Sequence, residues 1–254
     1  MTAAPDPFRF TTLAHAGRDL LGPLSALDID AMLARVPEGE PPGTVLDIGC
    51  GKGEILVRTL ERFGGTAVAV EPNPAFVTDA RARIAARLGA GRVVIHQANY
   101  ADAPLPATPF GLAICTGSLH AIGDWPATLA ALARLVRPGG RALLAPGYWQ
   151  RPPHPDYLVA FGGAASDHDF LPGTLALAGR MGWQVVAHHE SSPEAWDEYE
   201  HAFAANVRAW CIANAADPDA GRFRERIERW AYAYSRWGRD TMGYVLMLLH
   251  RRID

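Results

Sequence analysis

The sequence predicts an α/β protein built on a doubly wound, mainly parallel seven-stranded sheet, with N-terminal helices and an inserted helical hairpin as a cap. Two observations support this fold class. Short apolar stretches alternate with segments of helical periodicity from residue 44 to residue 145, as parallel sheets covered on both faces require. An apolar stretch at residues 243–250 then follows two long amphipathic segments and predicts a last strand.

The composition is that of a chain with one sizeable core. The chain has 254 residues, of which 49% are hydrophobic, and its net charge is −3. This balance argues against nucleic acid as a partner. No apolar stretch approaches the ~20 residues that span a bilayer, and no signal-peptide pattern opens the chain. Three cysteines without a C-x-x-C pair fit a reducing compartment, so we expect a cytoplasmic protein with no membrane partner.

The N-terminal region predicts a frayed end over residues 1–9 and one or two short helices over residues 10–36. Gly22 and Pro23 interrupt the helical pattern, and Asp28 is a plausible N-cap for the second helix. His15 is interpreted as a surface or core histidine, and a site residue is the alternative. Residues 37–43, rich in Pro, Glu and Gly, predict a linker.

The most informative stretch is residues 44–54, Thr-Val-Leu-Asp-Ile-Gly-Cys-Gly-Lys-Gly-Glu. It predicts a strand, a tight turn and the start of a helix. Glycines at 49, 51 and 53 permit positive φ angles and leave no Cβ between the backbone and a ligand. The helix N-terminus that follows favours an electron-rich partner.

This stretch resembles motif I of the class I S-adenosylmethionine (SAM) dependent methyltransferases, (D/E)-x-G-x-G-x-G, with Asp47 as its acid. The resemblance implies that SAM is the cofactor and that Asp47, Gly49, Gly51 and Gly53 bind its methionine part. Dinucleotide-binding folds instead use G-x-G-x-x-G, which would need a glycine where this chain has Glu54. In this family a helical segment before the first strand, here residues 1–43, is a common place for a lid.

The second predicted strand, residues 66–71, ends in Glu71, 18 residues after Gly53. A carboxylate at this position can accept two hydrogen bonds from a ribose diol. NAD enzymes and methyltransferases share this device. Glu71 is therefore predicted to bind a nucleoside, and the alternative is a solvated strand end.

The third predicted strand, residues 93–98, is followed by Asn99, Tyr100, Ala101 and Asp102. The resemblance implies that the adenine of SAM is bound here. Asn99 offers both a donor and an acceptor to an adenine edge, so Asn99 and Tyr100 are the predicted contacts. Asp102 is the alternative.

The fourth predicted strand, residues 110–116, ends in small and polar residues. Ligands of open α/β sheets bind at this carboxyl edge. The segment resembles motif IV of small-molecule methyltransferases, which implies that Thr116 and Gly117 lie beside the methionine moiety. His120 is a candidate catalytic residue because a histidine can take a proton from an acceptor near neutral pH. The alternative is a histidine that only shapes the pocket.

After the fifth predicted strand, at residues 141–145, Tyr148 and Trp149 leave the sheet at the same edge. Tyr148 is the second candidate catalytic residue. Residues 150–173 predict a long loop. Its histidines and aspartates lack the spacing of metal ligands, so no metal is predicted.

The C-terminal third predicts a helix at 175–181, a strand at 183–189 and two amphipathic helices that form a hairpin. In the family that this chain resembles, the last strand lies antiparallel between strands five and six. The predicted units are residues 1–43 (helical lid), 44–192 (SAM-binding core), 193–240 (helical cap) and 241–254 (final strand).

The predicted function is in-line transfer of the SAM methyl group to an O, N or S atom of a small molecule, by a monomer or homodimer. The main alternative is a SAM-binding cyclase or lyase that releases methylthioadenosine. An NAD(P) oxidoreductase and a non-catalytic SAM sensor are two further alternatives.

Overall fold

A mixed eight-stranded sheet forms the centre of the protein in a computed structural model that describes residues 6–37 and 43–253. The strands are β1 (Thr44–Ile48), β2 (Thr66–Val70), β3 (Val93–His96), β4 (Phe110–Thr116), β5 (Val136–Ala145), β6 (Gly147–Trp149), β7 (Trp183–Glu190) and β8 (Met242–Arg251). Their order in space is β3-β2-β1-β4-β5-β8, and β7 and β6 both pair with β8.

The sheet follows the predicted topology. Strands β1 to β5 pair in parallel, and β8 runs antiparallel between β5 and β7. The prediction of a doubly wound, mainly parallel sheet is thus confirmed. The eighth strand was not predicted: β6 has only three residues, too few for a periodic pattern, and it pairs with the start of β8.

The central strands are buried on both faces, which explains their continuous apolar sequences. In β1, Val45 packs with helices on one face of the sheet, whereas its neighbour Leu46 packs with helices on the other. Alternate residues of β4 divide between the two faces in the same way. The two resulting cores hold the carboxyl ends of β1, β2 and β4 side by side.

Nine α-helices surround the sheet in the described part of the chain. They are α1 (Arg9–Ala14), α2 (Ala26–Leu33), α3 (Glu54–Phe63), α4 (Pro74–Leu88), α5 (Trp125–Leu135), α6 (Pro155–Phe161), α7 (Leu171–Arg180), α8 (Pro193–Ala213) and α9 (Ala220–Arg236). By the criterion of length and hydropathy, none of these helices could cross a membrane.

Two helical predictions need correction. The N-cap of α2 is Ser25, and Asp28 instead completes a capping box, in which it accepts the backbone N–H of Ser25 at 2.7 Å. The predicted loop at 150–173 contains α6, which begins after the cap residue His154 and ends at Gly162 in a left-handed conformation. The predicted linker at 37–43 and frayed end at 1–9 lie largely outside the described residues, although Arg9 already begins α1.

Helices α8 and α9 pack against each other and against α1. Phe10 of α1 lies in one buried cluster with Val207 of α8 and Ile227 of α9. The Arg9 guanidinium also pairs with Asp217 and Asp219, both at 2.6 Å, in the turn between the two long helices. The N-terminal helix is therefore joined to the α8–α9 hairpin, called the cap below.

Candidate functional site

The turn after β1 has a backbone that only glycine accommodates well. Gly49, Gly51 and Gly53 have φ angles of 71°, 54° and 77°. A Cβ on Gly49 would lie 2.3 Å from the Cβ of Ser118, and a Cβ on Gly51 would lie 2.7 Å from a methyl carbon of Leu21. The three predicted glycines thus form a tight cradle at the N-terminus of α3, in which neighbouring side chains pack directly against the backbone.

Glu71 is bonded to this turn. Its two carboxylate oxygens accept the backbone N–H groups of Gly51 and Asn73, each at 2.9 Å. Burial raises the pKa of the Glu71 carboxyl, and the two N–H bonds oppose this shift. The carboxylate is held in place by the backbone and keeps further lone pairs for a ligand.

Asp47 is buried more completely than Glu71. It is 3% exposed, and burial together with the nearby Glu71 charge raises the pKa of its carboxyl to about 8. Neither Asp47 nor Gly53 lines the cavity above the turn. These two predicted cofactor-binding residues therefore lie in β1 and in the turn after it, but not in the wall of the cavity.

A cavity of about 320 Å³, called the glycine-turn cavity, lies above the cradle. The ends of β1, β2 and β4 form its floor, with the predicted residues Gly49, Gly51, Glu71, Thr116 and Gly117. Its roof comes from the N-terminal segment and the cap, with Phe8, Thr11, His15, Leu20, Leu21 and Tyr199. A pocket enclosed in this way suits a ligand of nucleoside size.

His15 is buried, as expected of a core histidine, and it also lines the glycine-turn cavity and holds its roof together. Its Nδ1 lies 2.8 Å from the carbonyl oxygen of Thr11, which can only accept, so Nδ1 carries the proton. Nε2 then accepts the Tyr199 hydroxyl at 3.0 Å. Burial lowers the pKa of His15, which favours this neutral form. The Lys52 ammonium donates to the His15 carbonyl oxygen at 2.9 Å and joins the roof to the glycine turn.

A second cavity of about 720 Å³, called the sheet-edge cavity, lies beside the first. Gly117, His120 and Tyr244 line both cavities. The remaining walls of the second cavity include Trp125, Phe161, His168, Trp196 and Met242. His120, predicted as a catalytic residue, therefore lies where the two spaces meet, on an exposed 3-10 turn after β4.

Asn99 and Tyr100 do not line either cavity. Strand β3 ends at His96, and the chain turns away into a 3-10 helix at Tyr100–Asp102. Asn99 is exposed and donates from Nδ2 to Asp102 at 3.4 Å, while Tyr100 packs on the core. The adenine contact predicted for this pair has no counterpart in the cavity walls.

Tyr148 also lies away from both cavities, which argues against its predicted catalytic role. Side chains alternate along β6, so that Gly147 lines the sheet-edge cavity while Tyr148 is buried in the core. Its hydroxyl donates to Glu190 at 2.5 Å, and burial and this bond raise the pKa of the phenol. Tyr148 is a structural residue of the sheet.

Sequence reasoning missed Tyr199, Tyr244, Lys52 and Ser118 as residues of the cavity walls. Ser118 donates from Oγ to the carbonyl oxygen of Ile48 at 2.6 Å and so joins β4 to the glycine turn. Tyr199 belongs to a predicted amphipathic helix. The aromatic face of that helix is the one sequence feature that could have indicated Tyr199 as a cavity residue. Among the described residues, no group of three or more His, Cys, Asp or Glu side chains could hold a metal ion.

The chain is similar in sequence to known methyltransferases. A family model described as a methyltransferase domain matches residues 45–140. The uncharacterized protein YjhP of Escherichia coli (strain K12) is 29% identical over 224 residues, which are 87% of this chain and 90% of that protein. Nocamycin O-methyltransferase of Saccharothrix syringae is 39% identical over 103 residues, 39% of this chain and 36% of that enzyme.

Two solved structures cover nearly the whole fold. A SAM-dependent methyltransferase from Geobacter sulfurreducens, in complex with S-adenosyl-L-homocysteine, has a TM-score of 0.87 at 27% identity and covers 99% of this chain and 100% of its own. One from Thiobacillus denitrificans, in the same kind of complex, has a TM-score of 0.85 at 25% identity, with coverage of 96% and 98%.

Proposed function

The chain belongs to the class I SAM-dependent methyltransferase family, and we propose that it methylates a small molecule bound in the sheet-edge cavity. SAM supplies an activated methyl group on its sulfonium sulfur. The residues present fit this cofactor, because the glycine cradle excludes any Cβ and the Glu71 carboxylate is fixed beside it. S-adenosylhomocysteine is the bound ligand named for both similar solved structures.

In this proposal the glycine-turn cavity holds the cofactor. Gly49 and Gly51 accommodate its methionine part, and Glu71 accepts the ribose hydroxyls through its free lone pairs. Thr116 and Gly117, at the end of β4, border the methionine end. Tyr199 and His15 close the roof and reduce access of water.

The observation that carries the proposal is the shared wall of the two cavities. Gly117, His120 and Tyr244 line both, so a ligand in one cavity would lie next to a ligand in the other. Methyl transfer requires such an arrangement, since the main task of the protein is to align nucleophile, methyl group and sulfur. An intramolecular reaction of SAM would have no use for a second cavity of about 720 Å³.

His120 is the proposed general base for an acceptor that must lose a proton. A base in this position contributes about 10²- to 10⁴-fold to the rate. We expect His120→Gln to lower kcat by a factor in this range while the affinity for S-adenosylhomocysteine stays unchanged. His201→Gln, an exposed change on α8, is the matched control. A loss of cofactor affinity in His120→Gln without a loss of kcat would assign His120 a binding role instead.

The walls of the sheet-edge cavity indicate the kind of acceptor. Its charged residues are three aspartates, Asp124, Asp167 and Asp169, and none of the described lining residues is a lysine or arginine. Aromatic side chains, including Trp125 and Trp196, cover much of the remaining surface. We infer an aromatic or apolar acceptor that carries an amine or hydroxyl group and no anionic group.

Incubation with SAM and matched acceptors, with products identified by mass spectrometry, tests the proposal. The panel pairs aryl amines and phenols with aryl carboxylates of the same size. We expect S-adenosylhomocysteine and a methylated product from the first group only. Methylthioadenosine formed from SAM alone, above a control without enzyme, would overturn the proposal in favour of a cyclase or lyase.

A further inference from the structure

A third cavity, called the cap cavity, lies between α1, α6 and the two helices of the cap. Its volume is about 330 Å³, within the usual range for small-ligand sites. Five of the side chains that line it are aromatic: Phe10, Phe161, Tyr199, Phe203 and Trp230. Such walls suit a flat aromatic ligand.

Two arginines of α9 line the same cavity. Arg226 and Arg229 lie three residues apart and are both exposed. The Arg226 guanidinium lies 3.9 Å from the centroid of the Phe10 ring. Partial desolvation of the guanidinium and the nearby charges of Arg222 and Arg229 lower the pKa of Arg226. The cavity therefore has a concentration of positive charge at one wall.

Several other arginines of the cap have carboxylate partners. Arg222 pairs with Asp219 at 2.8 Å, and Arg208 pairs with Glu228 at 2.7 Å. Throughout residues 6–37 and 43–253, by contrast, neither Arg226 nor Arg229 forms an ion pair. Two guanidinium groups without a carboxylate partner next to an aromatic cavity are a suitable receptor for a carboxylate, which arginine binds through paired N–H donors.

The one acid of the cavity does not neutralise them. Glu200 is 6% exposed, and its carboxylate accepts the Nε1–H of Trp230 at 2.6 Å. Burial raises the pKa of this carboxyl to about 7. Near neutral pH it therefore carries a proton much of the time, which reduces its repulsion of an anionic ligand.

We propose that the cap cavity binds a small aromatic monocarboxylate, with the ring among the aromatic walls and the carboxylate on Arg226 and Arg229. The site is separate from the two cavities of the proposed reaction and does not depend on that proposal. An occupant would contact Tyr199, which also lines the glycine-turn cavity, and Phe161, which also lines the sheet-edge cavity. The site is therefore positioned to connect ligand binding in the cap with the walls of both other cavities.

Titration of the protein, saturated with S-adenosylhomocysteine, with phenylacetate, phenylacetamide and phenethylamine tests this proposal. Tryptophan fluorescence reports binding, because Trp230 lines the cavity. We expect saturable binding of phenylacetate, at least about tenfold tighter than binding of the neutral amide or the amine. Equal affinities for the three compounds, or no saturation by phenylacetate below about 10 mM, would overturn the proposal.

Variants locate the site. Arg226→Gln combined with Arg229→Gln should weaken phenylacetate binding by at least about tenfold, whereas Arg224→Gln, an exposed change on the same helix away from the cavity walls, should not. If circular dichroism shows that the double variant does not fold, Arg229→Gln alone replaces it. This single change should weaken phenylacetate binding by about threefold or more. Unchanged binding in a folded variant would place phenylacetate elsewhere and overturn the proposal.

Discussion

The floor and the roof of the glycine-turn cavity are held together in different ways. In the floor, backbone groups of adjacent strands bond directly, as between the Gly49 N–H and the carbonyl oxygen of Val70 at 2.8 Å. Glu71 adds two further bonds to backbone N–H groups. The floor is therefore part of the sheet and is preorganised for a ligand.

The roof combines apolar packing between α1 and the cap with side-chain bonds between segments that are far apart in the sequence. Tyr199 bonds to His15, and the Asn206 amide donates to the carbonyl oxygens of Ala14 and Ala16 at 3.0 and 2.8 Å. Each such bond contributes only about 0.5–1.5 kcal/mol. We therefore expect the floor to determine whether the cofactor binds and the roof to determine how fast it leaves.

The largest effect is expected from Gly49→Ala, which breaks the floor. The left-handed φ costs an alanine about 1–2 kcal/mol, and the contact with Ser118 adds about 1–3 kcal/mol. We expect a loss of about 3–4 kcal/mol in the free energy of unfolding, measured by urea denaturation, and no measurable binding of S-adenosylhomocysteine.

Gly162→Ala is the matched control for this change. Gly162 has a φ of 76°, and no atom lies within 4 Å of the position that a Cβ would occupy, so the control includes the backbone strain without the contact. Gly162→Ala should lower the free energy of unfolding by only about 1–2 kcal/mol. Equal losses in the two variants would show that Ser118 adapts and that the floor is not rigid.

Glu200→Gln tests how tightly the cap is packed around the buried Glu200 carboxyl. The pKa of Glu200 is raised from its ordinary value of 4.5 to about 7 by burial, so the folded state binds more protons than the unfolded state between these values. Stability should therefore fall as pH rises from about 4.5 to 7 and stay reduced above pH 7. The variant has no buried carboxyl to ionise. Its free energy of unfolding should therefore rise by up to about 3 kcal/mol relative to that of the wild type over that interval.

Urea denaturation at several pH values measures this gain as the difference between variant and wild type. Glu225→Gln, an exposed change on α9, is the control. A difference that does not change with pH would mean that Glu200 is hydrated in solution and that the cap is looser than its packing indicates.

Glu71→Gln removes a hydrogen bond and a charge from the floor while the side chain keeps its size and shape. The amide oxygen can accept only one of the two backbone N–H groups, and the negative charge at the proposed ribose site is lost. We expect about 10- to 30-fold weaker binding of S-adenosylhomocysteine in calorimetry, which corresponds to about 1.4–2 kcal/mol. Asp156→Asn, an exposed change on α6, is the control, and an unchanged affinity in Glu71→Gln would place the ribose elsewhere.

The smallest effect is expected from Tyr199→Phe, which removes one bond of the roof. Loss of the hydroxyl leaves His15 Nε2 without its donor. Stopped-flow measurement should show S-adenosylhomocysteine dissociating about 3- to 10-fold faster. Tyr232→Phe, exposed on the cap, is the control. A dissociation rate equal to that of the wild type would mean that the roof does not limit release.

The parts of the fold that were predicted correctly are those with a strong local pattern. The strand at Thr44–Ile48, the three glycines and Glu71 follow from apolar stretches and from the backbone freedom of glycine. The helix at Pro155–Phe161 was missed, because seven residues among prolines and glycines carry almost no periodicity. Tyr148 was assigned to the site because it follows a strand, but the alternation of β6 turns its side chain into the core.

Local sequence patterns are enough to predict the central sheet, the glycine turn and the acid beside it, because strand periodicity and positive φ angles are properties of a few neighbouring residues. The contact between His15 and Tyr199, 184 positions apart in the chain, is instead a result of tertiary packing. Tertiary packing also places Gly117, His120 and Tyr244 in one wall of two cavities. Such encounters depend on how helices and strands pack over long distances, and no local pattern records that packing.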